Sequence, residues 1–202
     1  MYLIGPRGCG KTTVGQQLAK RLGWAWNDLD QLIQEAAGRS IAEIFSQQGQ
    51  TAFRDLESEQ LQNQAHQAAQ VVSLGGGAVL RQENQQLIRQ TGFVIFLNAD
   101  IDSLVLRVAA DPHSARMRPA LIANASTNDT EATTDDLPTI QRKMRDEMQQ
   151  VLALRMPIYQ QTCDLQLDTT NLKPDAIVGQ IVRWLPHVDR KFAELNLEHR
   201  ND

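Results

Sequence analysis

The strongest constraint on the fold is the stretch at residues 5–12, Gly-Pro-Arg-Gly-Cys-Gly-Lys-Thr. It fits the pattern G-x-x-x-x-G-K-[ST], in which a glycine-rich loop joins a strand to a helix and binds phosphate groups. Residues 2–4 are apolar and predict the strand, while residues 13–22 place apolar side chains on one helical face. This context distinguishes the motif from a glycine-rich turn that merely opens a helix.

Each part of the loop has a physical role in binding a nucleotide. Its glycines let the backbone turn tightly and expose N–H groups, and the helix that follows points its positive end at the same place. Lys11 can reach the β- and γ-phosphates, and the Thr12 hydroxyl can coordinate Mg²⁺. The loop therefore predicts a site for nucleotide phosphates and a magnesium ion.

Composition argues against several other classes of function. The 202 residues carry a net charge of -4 with no strongly basic block, so we do not expect a nucleic-acid partner. No apolar run approaches the length of a membrane span, and a loop that starts at residue 5 leaves no room for a signal peptide. The two cysteines form no disulfide framework. We therefore expect a cytoplasmic protein without nucleic-acid or membrane partners.

Short apolar runs alternate with helical patterns along the chain, which is typical of an α/β fold with a parallel sheet. A last helix is expected over residues 175–185. The expected strands are residues 2–4, 24–27, 71–74, 93–97 and 164–167.

Two intervals between these elements stand out. Three helical patterns lie between the second and third strands, and the second pattern begins with the capping box Ser40 to Glu43. We interpret this interval, about residues 30–69, as a substrate-binding region. Residues 111–136 hold too few apolar side chains to build a core, and they form a candidate lid of a phosphotransferase. An ordinary surface insertion is the alternative for their threonine-rich half.

Two carboxylates, Asp28 and Asp30, follow the second strand. In α/β sheets, ligands bind at the carboxyl ends of the strands, so both side chains are candidates for the site. Asp28 could hold a water molecule on Mg²⁺, and Asp30 could accept the proton of a substrate hydroxyl, as a carboxylate does in kinases. The alternative is an aspartate that only caps a helix after a turn.

Arg54 and Glu57 are three residues apart, which makes them neighbours on one helical face. Glu57 could hold the Arg54 guanidinium in a fixed orientation for bidentate capture of a carboxylate. A surface ion pair worth about 0.3–0.5 kcal/mol is the alternative. Spacing alone does not separate the two interpretations.

The third strand ends in three glycines, residues 75–77, which would let the backbone approach a ligand closely or would form a flexible turn. The strand lacks the terminal aspartate that many phosphate-loop enzymes carry, so Asp28 and Ser73 would serve the outer shell of the metal. Arg107 and Arg155 lie on the helices before and after the candidate lid, where single arginines are usually solvated.

In their order along the chain, these motifs resemble the shikimate kinase family. The agreement covers roughly residues 3–185 and includes GPRGCGKTT, DLD, GQTAFRDLE, GGG, RPAL, RMPIY and LDTTNLKP. The resemblance implies one three-layer αβα domain of the P-loop kinase type over residues 1–185. That domain would contain a five-stranded parallel sheet, a helical substrate-binding region and a lid. Residues 186–202 would form a C-terminal tail.

The resemblance also implies ATP and shikimate as the ligands and Mg²⁺ as the cofactor. The ATP phosphates would lie against Gly8, Cys9, Gly10, Lys11, Thr12 and Thr13. Lys11 would contact the transferred group, Thr12 would bind the metal, and Asp28 would belong to the metal's outer shell. Asp30 would bind the reacting ring hydroxyl and is the candidate general base.

Further implied roles concern the other parts of the two ligands. Arg54 and Arg155 would clamp the shikimate carboxylate. The ring would be supported by Gly75, Gly76 and Gly77. Arg118 in the lid would close over the phosphates, while Arg107 and residues 167–174 would border the adenine. The chain departs from the family at two places. It has Leu172 and Lys173 before Pro174, where many members have an arginine or glutamine just before the proline, and its lid is longer.

The predicted reaction is transfer of the γ-phosphoryl group of ATP to the 3-hydroxyl of shikimate, which gives shikimate 3-phosphate and ADP for chorismate and aromatic amino acid biosynthesis. A monomer is expected. One alternative is a related kinase of another small hydroxy acid such as gluconate. The other is a non-catalytic module that binds nucleotide without turnover.

Overall fold

The computed structural model describes residues 1–111 and 137–186, and its centre is a parallel sheet of five strands. The sheet has the spatial order β2-β3-β1-β4-β5. Its strands are β1 (Tyr2–Ile4), β2 (Ala25–Asp28), β3 (Gln70–Ser73), β4 (Val94–Asn98) and β5 (Leu165–Asp168). β1 has its expected bounds, and the other four lie within one residue of theirs. The predicted α/β fold with a five-stranded parallel sheet is confirmed.

Helices fill the connections between the strands, because apolar residues recur there at helical spacing. They are α1 (Lys11–Leu22), α2 (Leu29–Ala37), α3 (Ile41–Ala65), α4 (Gln82–Thr91), α5 (Ile101–Ala110), α6 (Leu137–Thr162) and α7 (Pro174–Arg183). A short 3₁₀ helix, Ala78–Leu80, follows β3. Within the described ranges, no helix combines the length and the apolar character that crossing a membrane requires.

The sheet is covered on both faces, because successive side chains of a strand point to opposite sides. In β1, Leu3 belongs to one buried cluster with side chains of α1, α5 and α7. Tyr2 and Ile4 belong to a second cluster with side chains of α2, α3 and α4. α6 contributes Met148 to the first cluster and Tyr159 to the second. The result is the three-layer αβα arrangement that the resemblance implies.

The strand order brings the chemistry-bearing loops to one edge of the sheet. β1 lies between β3 and β4, so the phosphate-binding loop after Ile4 adjoins the turn after β3. This turn contains Gly75, Gly76 and Gly77 and is called the glycine turn below. Asp28, at the end of β2, pairs in register with Ser73. Ligands of open parallel sheets bind at such an edge, where neighbouring connections leave the sheet in different directions.

The interval between β2 and β3 contains two helices, where the sequence shows three helical patterns. α2 ends at Gly38, and α3 begins at the predicted capping box, in which Ser40 and Glu43 exchange hydrogen bonds. The second and third patterns both belong to α3, which kinks at Gly49, where φ is 81° and ψ is 178°. A backbone kink therefore separates the start of α3 from the segment that carries Arg54.

Some predictions lie outside the described residues. They concern the candidate lid after Asp111, Arg118 within it, and the tail beyond residue 186. These interpretations stay predictions.

Candidate active site

The phosphate-binding loop has the strand–loop–helix context predicted for it. β1 ends at Ile4, and α1 begins at Lys11 with Gly10 as its N-cap, in the left-handed region at a φ of 97°. The Lys11 ammonium donates to the carbonyl oxygens of Gly5, at 2.9 Å, and Pro6, at 2.8 Å. These contacts fix the lysine against its own loop.

A cavity of about 780 Å³ opens at this edge of the sheet, and its volume is in the range of small-molecule sites. Ten predicted site residues line it: Gly8, Gly10, Lys11, Thr12, Thr13, Asp28, Asp30, Gly75, Gly76 and Arg107. The fold thus gathers candidates for nucleotide, metal and substrate binding around one space.

Asp28 has two partners, and these explain both interpretations of the aspartate pair. Its Oδ1 accepts from the Asp30 backbone N–H at 3.0 Å and caps α2, while its Oδ2 accepts from the Thr12 hydroxyl at 3.2 Å. Asp28 is therefore a capping aspartate, and the cap places its carboxylate beside the phosphate-binding loop. Asp30 follows in the first turn of α2 and lines the cavity.

Thr12 and Asp28 supply a hydroxyl and a carboxylate, which are oxygen ligands of the kind that Mg²⁺ prefers. Across residues 1–111 and 137–186, no group of three or more histidine, cysteine or acidic side chains could hold a metal ion. The pair therefore fits a magnesium ion that takes most of its ligands from phosphate groups and water, as Mg²⁺ does in nucleotide sites.

Ser73 occupies the end of β3, where the terminal aspartate of many phosphate-loop enzymes is missing. Its buried hydroxyl donates to the Lys11 carbonyl oxygen at 3.1 Å and accepts from the Trp26 indole N–H at 3.2 Å. These hydrogen bonds tie β2 and β3 to the first turn of α1. Gly15 packs so closely that a Cβ there would lie 2.7 Å from both the Ser73 Oγ and the Trp26 Nε1.

Glu57 is buried and Arg54 is mostly buried, so the surface-ion-pair alternative is wrong. Arg54 Nη1 lies 2.5 Å from Glu57 Oε2, and the two side chains are 14% and 1% exposed. Burial raises the pKa of Glu57, and the positive charges of Arg54, Arg155 and Arg81 act against that shift. Because a buried charge without its partner is costly, Glu57 and Arg54 hold each other in place.

Both arginines predicted to clamp a carboxylate lie against the glycine turn after β3. Arg54 is so close to Gly77 that a Cβ there would lie 2.2 Å from the Arg54 Nη2. Arg155 donates from Nη1 to the Gly76 carbonyl oxygen at 3.2 Å. Neither arginine is among the described residues that line the cavity, and they reach its wall through the turn.

Arg107 is engaged by the protein and is not simply solvated. Its guanidinium donates to the Gly8 carbonyl oxygen at 3.4 Å and to oxygens of Thr169 and Thr170, in the loop after β5. Thr169 in turn donates to the carbonyl oxygen of Cys9, whose side chain is fully buried. The loop after β5 is thereby attached to the phosphate-binding loop.

The cavity also contains residues that the sequence patterns did not indicate: Arg7, Trp26, Gln31, Gln34, Ile41, Leu74, Val108 and Asp111. Arg7 occupies a variable position of the loop motif, so only the fold shows that it faces the cavity. Burial lowers the pKa of Arg7, and the negative charges of Asp111 and Glu147 act against that shift. Gln34 lies four residues after Asp30 on the same helical face, so this spacing could have identified Gln34 as a residue of the site.

Comparison with known proteins points to one family. The family model described as Shikimate kinase matches residues 7–186. The chain is 36% identical over 186 residues to the shikimate kinase of Rhodopirellula baltica, covering 92% of this chain and 90% of that protein. It is 39% identical over 185 residues to shikimate kinase 2 of Erwinia tasmaniensis, covering 92% of this chain and 94% of that protein.

Solved structures give the same result for the fold. Shikimate kinase from Acinetobacter baumannii, in complex with shikimate, has a TM-score of 0.77 at 26% identity, covering 92% of both chains. Shikimate kinase from Aquifex aeolicus has a TM-score of 0.70 at 27% identity, covering 92% of this chain and 95% of that one. The sheet and its covering helices are those of a P-loop kinase.

Replacing Gly15 with alanine tests the packing behind the phosphate-binding loop. Because the new Cβ would overlap Ser73 and Trp26, we expect Gly15→Ala to lose about 1–3 kcal/mol of unfolding free energy. The variant should also bind nucleotide more weakly, since Ser73 holds the Lys11 backbone. Urea unfolding and calorimetric titration with ADP and Mg²⁺ measure the two effects.

Gly179→Ala is the matched control, because Gly179 lies in α7 with open space where a Cβ would be. Helix propensity favours alanine there by up to about 1 kcal/mol, so this variant should be as stable as the parent or more stable. Equal stability and equal nucleotide affinity in the two variants would contradict the close packing at Gly15.

Proposed function

Because the chain belongs to the shikimate kinase family, we propose that its cavity binds ATP and shikimate side by side and transfers the γ-phosphoryl group to the 3-hydroxyl of shikimate. The family consists of ATP-dependent kinases, and the products are shikimate 3-phosphate and ADP. The observation that carries the proposal is that the phosphate-binding loop, Asp30 and the glycine turn all line one cavity. The solved relative from Acinetobacter baumannii contains shikimate, which supports the choice of the second substrate.

The phosphate-binding loop provides the nucleotide end of the site. Its backbone N–H groups and the positive end of α1 receive phosphate oxygens. The Lys11 ammonium has three donors, of which two meet loop carbonyls and the third faces the Cys9 sulfur, a weak acceptor 3.7 Å away. Lys11 can therefore turn one hydrogen toward the γ-phosphate and keep both carbonyl contacts. Arg107, beside the loop after β5, borders the adenine.

Mg²⁺, when bound, neutralises phosphate charge and helps to orient the transferred group. The Thr12 hydroxyl would coordinate the ion, and the adjacent Asp28 carboxylate would accept hydrogen bonds from its water molecules. Ser73 contributes indirectly, because its hydroxyl holds the backbone of Lys11, the residue before Thr12.

Asp30 provides the acceptor end of the site. Its carboxylate can orient the substrate hydroxyl and accept the proton that the hydroxyl loses as the new P–O bond forms. Phosphoryl transfer passes through a loose transition state, so correct placement contributes more to the rate than strong basicity. The location of Asp30 in the first turn of α2, directly after the Asp28 cap and facing the cavity, supports this role.

The positive charges behind the glycine turn suit a substrate that carries a carboxylate. Guanidinium groups bind carboxylates through two parallel hydrogen bonds, and Glu57 already restricts the orientation of Arg54. Arg155 lies against the same turn. We assign these two arginines to the shikimate carboxylate, and Arg118 stays a prediction for closure over the phosphates.

The two alternatives have less support. A gluconate kinase and a silent nucleotide-binding module are both compatible with the loop, but family membership favours shikimate. Lys11, Thr12 and Asp30 all line the cavity, which favours turnover over silent binding. We also propose that the protein acts as a cytoplasmic monomer with small-molecule ligands as its partners.

A substrate panel tests the function directly. With ATP and Mg²⁺ present, we expect ADP release to require shikimate and to stay at background with gluconate or a nucleoside monophosphate. A coupled spectrophotometric assay measures the release. Faster release with gluconate would establish the related kinase, and ATP binding without turnover on any acceptor would establish the silent module.

Asp30→Asn keeps the size of the side chain and one acceptor oxygen, but it replaces the other oxygen with an NH₂ donor and removes the ability to accept a proton. We expect kcat to fall by about 10²–10⁴-fold, with little change in the KM for ATP. Steady-state kinetics with each substrate varied separate the two parameters. Asp175→Asn, in the first turn of α7, is the control and should keep wild-type rates. Near-normal kcat in Asp30→Asn would deny Asp30 the role of base.

Arg54→Lys keeps the positive charge but removes the planar fork of donors. We expect the KM for shikimate to rise about tenfold or more, while the KM for ATP stays close to that of the parent. Arg39→Lys is the control, because Arg39 is exposed, its guanidinium contacts Gln47, and neither residue lines the cavity. An unchanged shikimate KM in Arg54→Lys would remove Arg54 from the substrate site.

A further inference from the structure

Tyr159, on α6, is a buried side chain whose hydroxyl reaches the glycine turn. The residue is 1% exposed, and its ring stacks on Phe96 of β4 with 5.0 Å between the ring centroids. The hydroxyl donates to the Gly76 carbonyl oxygen at 2.5 Å. Arg155, one helical turn earlier on α6, donates to the same oxygen at 3.2 Å. Two side chains of one helix therefore share a single backbone acceptor in the cavity wall.

These two donors differ in what they can do when a substrate arrives. The Tyr159 ring is held by Phe96 and by the second core cluster, so its hydroxyl stays at the turn. Arg155 bonds Gly76 through Nη1 at the longer of the two distances, and a guanidinium prefers a carboxylate to a neutral carbonyl. A substrate carboxylate would therefore draw Arg155 away from Gly76 and leave Tyr159 in place.

We propose that Tyr159 is a positioning residue for the acidic substrate: it keeps the Gly76 carbonyl hydrogen-bonded when Arg155 moves to the substrate carboxylate. This inference rests on the proposed function, which assigns Arg155 to that carboxylate. Gly75, Gly76 and Gly77 have no side chains to restrict rotation of their peptides, so a donor on Gly76 also fixes the orientation of the peptide that links it to Gly77. The cavity wall thus keeps its shape while the arginine changes partner.

The proposal predicts that removing the Tyr159 hydroxyl destabilises the shikimate complex more than it destabilises the free protein. In free Tyr159→Phe, Arg155 still donates to Gly76, and the phenylalanine ring can keep the stacking on Phe96. In the complex, the Gly76 carbonyl would lose both donors, and a buried carbonyl without a partner is unfavourable. Tyr159→Phe should therefore lower the affinity for shikimate by more than it lowers the free energy of unfolding of the free protein.

Tyr2→Phe is a matched control, because Tyr2 is the other tyrosine of the chain and is also buried. Its hydroxyl contacts the Thr91 hydroxyl at 2.9 Å, at the end of α4, and Tyr2 does not line the cavity. We expect Tyr159→Phe to raise the Kd and KM for shikimate about tenfold, while Tyr2→Phe leaves both unchanged. The KM for ATP should be unchanged in both variants, and their thermal unfolding midpoints should fall by similar amounts.

A double-mutant cycle with Arg155→Met separates exchange of donors from general damage. In the Arg155→Met background, Tyr159 is the remaining side-chain donor to Gly76 within residues 1–111 and 137–186, both before and after shikimate binds. Adding Tyr159→Phe should then change the shikimate Kd by less than about twofold, in contrast to the tenfold effect in the parent. Isothermal titration with shikimate measures all four proteins.

Three results would overturn the inference. One is an unchanged shikimate Kd in Tyr159→Phe, and another is an equal loss of ATP affinity, which would indicate general damage. The third is the same increase in Kd in both backgrounds, which would show that Arg155 does not exchange partners. A parent protein that binds no shikimate would overturn the proposed function as well, whereas the first three results would leave it standing.

Discussion

The phosphate-binding loop depends on other groups that satisfy its carbonyl oxygens. Lys11 donates to the first two of them, Arg107 and Thr169 donate to carbonyls in the middle of the loop, and Ser73 donates to the Lys11 carbonyl, where the loop enters α1. A loop whose carbonyls are held in this way keeps one shape and leaves its N–H groups available for phosphate. Because these donors come from β3, α5 and the loop after β5 as well as from the loop itself, the shape of the nucleotide site depends on elements that are distant in sequence.

The substrate half of the cavity depends on buried charge. Glu57 is buried beside Arg54, which is 14% exposed, and the carboxylate would be costly to bury without that partner. The glycine turn accommodates them, since a side chain at Gly77 would collide with the Arg54 guanidinium. Arg155 also lies against this turn, so two guanidinium groups, which bind carboxylates well, are held beside it.

Much of the fold was predictable because its signals are local. The strands lie within one residue of their expected bounds, since short apolar runs end where polar loops begin. The capping box at Ser40 formed as predicted. The division of α3 was less accurate, because a glycine with positive φ kinks the helix at Gly49 without ending it. Trp26 and Tyr159 were missed as site residues, since an aromatic residue in a strand or a helix is usually a core residue.

The sequence by itself determined the chemistry of the phosphate-binding loop, the pair of aspartates after β2, the arginine-bearing motifs and the family that these motifs resemble. Each of these signals lies within a few neighbouring residues, whose spacing along a loop or helix determines how their side chains are arranged. Only the tertiary structure decided that Asp28 meets Thr12, that the Arg54–Glu57 pair is buried, and that Tyr159 shares Gly76 with Arg155. These contacts depend on strand order and on which helix faces are covered, and packing of the whole chain sets both.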